Sequence, residues 1–146
     1  MSQKDVLLDI IVVDDTSDML KKKGDKINTI RFESSVGPGR ARQQGYLESK
    51  GDYVVFLDDD DYYTNDTFFR HAIDILEEDD TLAFVAANVK HHIVADDVYV
   101  STNLHMVGRI EGIWYFEHLM IDYPKPTSTF PSIFRKKYYK KPVLVI

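Results

Sequence analysis

Residues Val54 to Asp61 read V-V-F-L-D-D-D-D, an apolar run that ends in four consecutive aspartates. Adjacent carboxylates repel one another unless a cation or hydrogen-bond donors compensate them, and hard cations such as Mg²⁺ or Mn²⁺ take oxygen ligands of this kind. A second acidic pair, Asp14-Asp15, closes another apolar run, Val6 to Val13, which only Asp9 interrupts. Between the two pairs lies V-G-P-G-R-A-R, Val36 to Arg42, whose glycines and arginines suit an anionic diphosphate held by backbone N–H groups and guanidinium forks. Carboxylates can accept hydrogen bonds from a base or ribose, and a metal can bridge the diphosphate to protein. Together these features describe a nucleoside-diphosphate site. At every one of these positions a structural role competes: an acidic turn, an Asp helix cap, a solvated arginine, or glycines that only turn the chain.

Such chemistry requires the three segments to meet at neighbouring strand ends. If Tyr53 to Leu57 is a strand, Asp58, Asp59, Asp60 and Asp61 stand beyond its carboxyl end, where open α/β sheets bind ligands. Val6 to Val13 reads as a buried parallel strand, the following D-D-T-S-D as a turn able to cap a helix, and Lys21 to Lys26 as a helix end or loop. Ile27 to Glu33 reads as a second strand. Gly37-Pro38-Gly39 breaks the chain, and Arg40 to Lys50 carries good helix formers closed by Gly51-Asp52. Asn65 or Asp66 caps an amphipathic helix over Thr67 to Glu78, with Phe68, Phe69, Ala72, Ile73 and Leu76 on one face. This alternation predicts an α/β fold, a three-layer sandwich with a mostly parallel central sheet.

Further strands are predicted over Leu82 to Val89 and Val98 to Val100, a helix beginning in Ser132 to Lys137, and an apolar end at Val143 to Ile146. Ile110 to Met120 mixes aromatics without a clear period. His91-His92 reads as part of a polar turn, and strand neighbours point to opposite faces, so the pair makes a poor joint ligand set. His71 is expected on the exposed side of its helix, and His105 and His118 have no recognised partner.

A chain of 146 residues with 44% hydrophobic and 29% charged content fits one domain with its own core, spanning residues 1–146. Its net charge of −6 argues against general nucleic-acid binding. The absence of cysteine excludes disulfides, thiol nucleophiles and cysteine-ligated zinc. No apolar run approaches the roughly 20 residues of a membrane span, and no signal peptide is visible, so a cytoplasmic chain is expected. The segment F-R-K-K-Y-Y-K-K, Phe134 to Lys141, is a candidate contact for an anionic inner membrane face or a lipid phosphate, set against a solvated helix face.

The ordered trio of Ser2 to Asp18, Val36 to Asp61 and S-I-F-R-K-K-Y-Y, Ser132 to Tyr139, resembles the family 2 inverting glycosyltransferases of the GT-A fold. The resemblance implies a Rossmann-like nucleotide-diphospho-sugar transferase. It implies that Asp15 recognises the nucleotide base with Asp14 in support, that Arg42 stands at the arginine of the family's A-R-N segment, and that Arg40 is a further nucleotide candidate. The D-x-D motif maps onto Asp58 and Asp60, with Asp59 near the ribose and diphosphate, Asp60 the first choice for the metal, and Asp61 ordering the next loop. Mn²⁺ or Mg²⁺ is the implied cofactor. The implied partners are a nucleotide-diphosphate sugar and an unidentified glycan or lipid-linked acceptor, in polysaccharide or cell-surface glycan synthesis.

Two departures qualify the match. Ser2-Gln3 corresponds to the end of the family's first helix, so the usual first strand is absent, and no later E-D pair supplies a catalytic base. Glu117 and Asp122 are carboxylates with nothing around them in sequence to promote them. The expectation is therefore a donor-binding domain without the usual first strand and C-terminal catalytic segment, weak in transfer by itself, with a sheet edge open to self-association. The alternatives are a non-catalytic nucleotide-sugar-binding fragment and a haloacid-dehalogenase-like phosphatase. The phosphatase motif D-x-D-x-T would need threonine where Tyr62 stands.

Overall fold

The acidic run follows a very short strand, and the neighbours of that strand decide the architecture. In the computed structural model residues 3–16, 27–101, 108–121 and 131–140 are described. In chain order they form β1 (Ile11–Asp14), β2 (Asn28–Arg31), α1 (Pro38–Glu48), β3 (Tyr53–Val55), α2 (Phe68–Glu78), β4 (Phe84–Ala86), β5 (Lys90–Ile93), β6 (Val98–Ser101), α3 (Gly112–Ile121) and β7 (Ser132–Arg135). A 3₁₀ helix over Lys136–Lys140 follows β7. The parts of the sequence reading that concern Ser17 to Lys26, His105, Asp122 and Val143 to Ile146 lie outside the described residues.

The fold is α/β, but the mostly parallel central sheet predicted from the alternation of elements is not what these residues form. β1 pairs with β2 in parallel, Ile11 opposite Asn28 and Asp14 opposite Arg31. A second sheet has the order β3-β7-β4, with β7 antiparallel to both neighbours, and β5 and β6 form an antiparallel hairpin of their own. The reason is the position of β7. It enters between β3 and β4 after the hairpin and α3 have intervened, so no short right-handed crossover dictates its direction.

The same placement explains why the helix expected to begin at Ser132 is a strand. Ser132 and Ile133 are each 1% exposed, held between two strands with Ile133 opposite both Val55 and Val85. Ile133 packs with Ala72 and Leu76 of α2, surrounded by Tyr53, Val55, Phe68, Phe69, Leu82 and Val85. Full burial of a side chain such as Leu76 contributes about 2 kcal/mol. The predicted apolar face of α2 is thus the core face, with Ala72 and Leu76 buried and Phe68, Phe69 and Ile73 half-buried. Arg135 ties the base of this unit together, its guanidinium donating to the carbonyls of Leu76, Asp79 and Leu82 around the end of α2.

The start of α2 is fastened locally and from a distance. Asn65 Oδ1 accepts from the Thr67 amide and hydroxyl at 2.8 Å each. Gln3 reaches across, accepting from the Phe69 amide at 3.1 Å and donating to the Asn65 carbonyl at 2.8 Å. α1 is different in kind: it has no buried residue and lies against β1. Gly45 permits that approach, because a Cβ there would stand 3.2 Å from Val13 Cγ2.

Two local expectations are also corrected, and a stretch without a clear period in the sequence takes a definite form. The strand predicted over Val6 to Val13 is confined to Ile11–Asp14, since Leu7 is fully exposed and finds no partner strand in the described residues. His91 and His92 lie in β5 rather than in a turn, because the hairpin turns at Val94 to Asp97. Ile110 to Met120 is largely the helix α3. No helix among the described residues is long and apolar enough to cross a membrane.

Candidate functional site

β1 and β2 run in parallel, so their carboxyl ends deliver Asp14 and Arg31 side by side. Asp14 is 4% exposed, and its Oδ2 lies 3.5 Å from Arg31 Nε. One residue on, Asp15 leaves the strand and its carboxylate becomes the anchor of a loop that follows β2. It accepts from the Val36 amide at 2.6 Å, the Gly37 amide at 2.8 Å and the Ser35 hydroxyl at 2.9 Å. The bond from the Val36 amide, aided by Ser35 and Gly37 and opposed by burial, holds the Asp15 carboxyl below the usual carboxylate range.

That clamp has a chemical consequence. Gly37 takes φ +79, a conformation suited to glycine, and Pro38 opens α1 behind it. The amides of Val36 and Gly37, which the sequence offers to a diphosphate, are already given to an anion of the protein itself. Anion binding at this end of α1 therefore falls to side chains. Arg40 is exposed in the first turn of α1. Arg42, one half-turn further, places Nη2 at 2.8 Å from both carboxylate oxygens of Asp58.

The Arg42–Asp58 pair ties α1 to the acidic turn after β3. Asp59 and Asp60 form the exposed tip of that turn, which closes with the Asp61 amide donating to the Asp58 carbonyl at 3.2 Å. Asp61 is half-buried, and its carboxyl is pushed up by burial first, then by the charges of Asp60 and Asp58, with His91 of β5 pulling the other way. Behind it Tyr63 stacks on Phe68 at 5.4 Å and meets Phe69 edge-on at 4.8 Å, and burial pushes its hydroxyl up strongly. Aromatic contacts thus lie behind the base of the turn while its tip faces solvent.

Asp14 pairs with Arg31 of the neighbouring strand, Asp15 is clamped to the loop after β2, and Arg42 is paired with Asp58. Arg40, Asp59 and Asp60 stand at the exposed rim. Three neighbours escaped the sequence reading: Arg31, Ser35 and His91. Ser35 stands next to the glycine loop and its type was a usable signal, whereas Arg31 and His91 are revealed only by strand pairing and hairpin placement.

Among the described residues no three His, Asp or Glu side chains converge into a cage for a metal ion. The donor chemistry nevertheless fits a hard divalent cation of the Mg²⁺ or Mn²⁺ kind. Such ions commonly use one or two carboxylates, waters and substrate phosphates rather than a full protein cage.

These strand-end carboxylates and arginines belong to an α/β protein. The family model described as Glycosyl transferase family 2 matches residues 1–141, and the chain belongs to that family. Membership implies a GT-A type of fold and, as substrates, a nucleotide-sugar donor and an acceptor, in a family that often uses divalent metal ions. No match was found among curated proteins or among solved structures.

Proposed function

We propose that the crevice bounded by Asp14-Asp15, the start of α1 and the acidic turn binds the nucleoside-diphosphate part of a sugar donor, for transfer of the sugar to a glycan or lipid-linked acceptor. The observation that carries this reading is the Arg42–Asp58 bridge, which joins residues 16 apart in sequence into one cationic and anionic rim. Arg42 and Arg40 supply guanidinium donors for the diphosphate, and Arg42 can exchange Asp58 for phosphate oxygens when the donor arrives. Asp59 faces the ribose and diphosphate side. Asp14, kept in place by Arg31, and the remaining acceptor capacity of Asp15 serve the base.

Asp60 and Asp58 would hold Mn²⁺ or Mg²⁺. When bound, that ion supplies Lewis-acid stabilisation of the charge that develops on the departing diphosphate. The chain's own contribution is positional: Asp15 holds the Val36–Gly37 segment, that segment leads into α1, and α1 presents Arg42 toward the acidic turn, with Arg40 exposed in its first turn.

Calorimetry with uridine, guanosine, thymidine and cytidine diphosphates, with and without Mn²⁺, tests the reading. One of them is expected to bind more tightly with metal. Absence of metal-dependent binding across the panel would sink the donor-site assignment.

A further inference from the structure

At the opposite end of β3 from the aspartates the charge reverses. The antiparallel register places Tyr53 opposite Arg135, so the segment entering β3 and the segment leaving β7 converge there. They line a cavity of about 400 Å³ whose walls include Lys50, Arg135, Lys136 and Lys137 against the carboxylates Asp52 and Glu77. Four cations facing two anions is a local excess of positive charge in a chain whose net charge is −6.

The cations divide into two kinds. Arg135 donates to the carbonyls around the end of α2, and Lys136 donates its ammonium to the Ser49 carbonyl and, at 2.9 Å, to the Ser49 hydroxyl. These hydrogen-bond partners are neutral, so both residues are fixed in geometry and keep their formal charges, that of Arg135 also acting on Asp79. Glu77 is engaged otherwise, accepting from the Tyr53 hydroxyl at 2.5 Å. Lys50 and Lys137 are exposed, and neither ammonium has a carboxylate partner among the described residues; Lys137 lies over the Tyr138 ring at 5.0 Å. The result is a cavity wall with two fixed cations and two exposed ammonium donors.

We infer that this cavity is a binding site for a phosphate ester, with Lys50 and Lys137 as the direct donors and Arg135 and Lys136 as the fixed positive field. A space of this size falls within the range of small-molecule sites and exceeds what a bare phosphate fills, so the ligand carries an organic group beside its phosphate. The open mouth admits either a soluble ester or a lipid headgroup. The inference does not rest on the donor reading, because the cavity shares no residue with the acidic crevice.

The test uses the whole chain and two probes. Calorimetry with glycerol 3-phosphate reads the soluble arm, and co-sedimentation with phosphatidylcholine vesicles containing phosphatidic acid reads the lipid arm. Saturable binding in either arm is expected, weakened roughly tenfold or more in the double variant Lys50→Ala/Lys137→Ala through loss of charge-assisted hydrogen bonds. Both lysines are exposed, so circular dichroism should show that variant folded. Lys90→Ala, in β5 and outside the cavity, should bind the same probe as the parent does. Binding in one arm alone assigns the ligand to that source. No saturable binding in either arm, or equal binding by the parent and the double-lysine variant, overturns the site.

Discussion

α1 and α2 are both 11 residues long, yet they do opposite jobs. α2, F-F-R-H-A-I-D-I-L-E-E, puts Ala72 and Leu76 into the core and has its N-terminal turn held by Asn65 and Gln3. α1, P-G-R-A-R-Q-Q-G-Y-L-E, buries nothing, and its entry is held by the Asp15 carboxylate at one end of β1. A helix stabilised by its apolar face contributes to the fold. One without such a face, yet held at its start by a charged clamp and carrying arginines, is available for chemistry. Packing separates the scaffold from the site.

The comparison breaks most visibly at Leu76. Leu76→Ala removes a fully buried side chain and should destabilise the protein by about 2–5 kcal/mol, read from urea unfolding, while folded molecules keep whatever nucleotide affinity the parent has. A smaller effect is expected from Arg42→Ala. Its pair with Asp58 is half-exposed, so stability should change by less than about 1 kcal/mol, whereas nucleoside-diphosphate affinity should fall roughly tenfold or more. If stability falls and affinity does not, the arginine belongs to the scaffold and the contrast between the helices fails.

Asp15 sharpens the contrast through pH. Its carboxyl is held below the ordinary 3.8 in the folded protein, so the stability it contributes is present above that value and is lost as pH falls through the lower folded value. Asp15→Asn should therefore be less stable than the parent near neutrality and lose less on acidification below about pH 4. Unfolding curves at several pH values would show two parallel profiles if the clamp were absent. The smallest effect belongs to Gly45→Ala. Better helix propensity, worth about 1 kcal/mol, is offset by the 3.2 Å approach to Val13 Cγ2, so the net change should stay within about 1 kcal/mol. Adding Val13→Ala should uncover the propensity gain as a favourable coupling in a double-mutant cycle.

The family and the α/β class were legible because they are written in short stretches. An apolar run ending in aspartates, a glycine-proline break before arginines, and the 3.6-residue spacing of Phe68, Phe69, Ala72, Ile73 and Leu76 each lie within a window of a few residues. The sheet was less legible. Ser132 to Arg135 resembles a helix start when seen alone, and it becomes a central strand because β3 and β4 leave a gap lined by Val55 and Val85. Val6 to Ile10 is nearly as apolar as a strand, yet among the described residues it forms no ladder, and its bond to a neighbouring strand is the Ile10 carbonyl accepting from the Asn28 amide at 3.2 Å.

The site shows the same division. Residue type announced that Asp14, Asp15, Arg40, Arg42 and Asp58 to Asp61 could bind a charged ligand. Which of them are occupied by the protein itself was decided by contacts between distant segments: Asp15 is taken by amides 21 and 22 residues away, Arg42 by Asp58, and Asp61 feels the charge of His91 in β5. Periodicity and turn chemistry are properties of adjacent residues, so the sequence by itself determines them. Hydrogen bonds and charge interactions between segments depend on which surfaces remain uncovered after the strands have paired, and only the tertiary structure decides that.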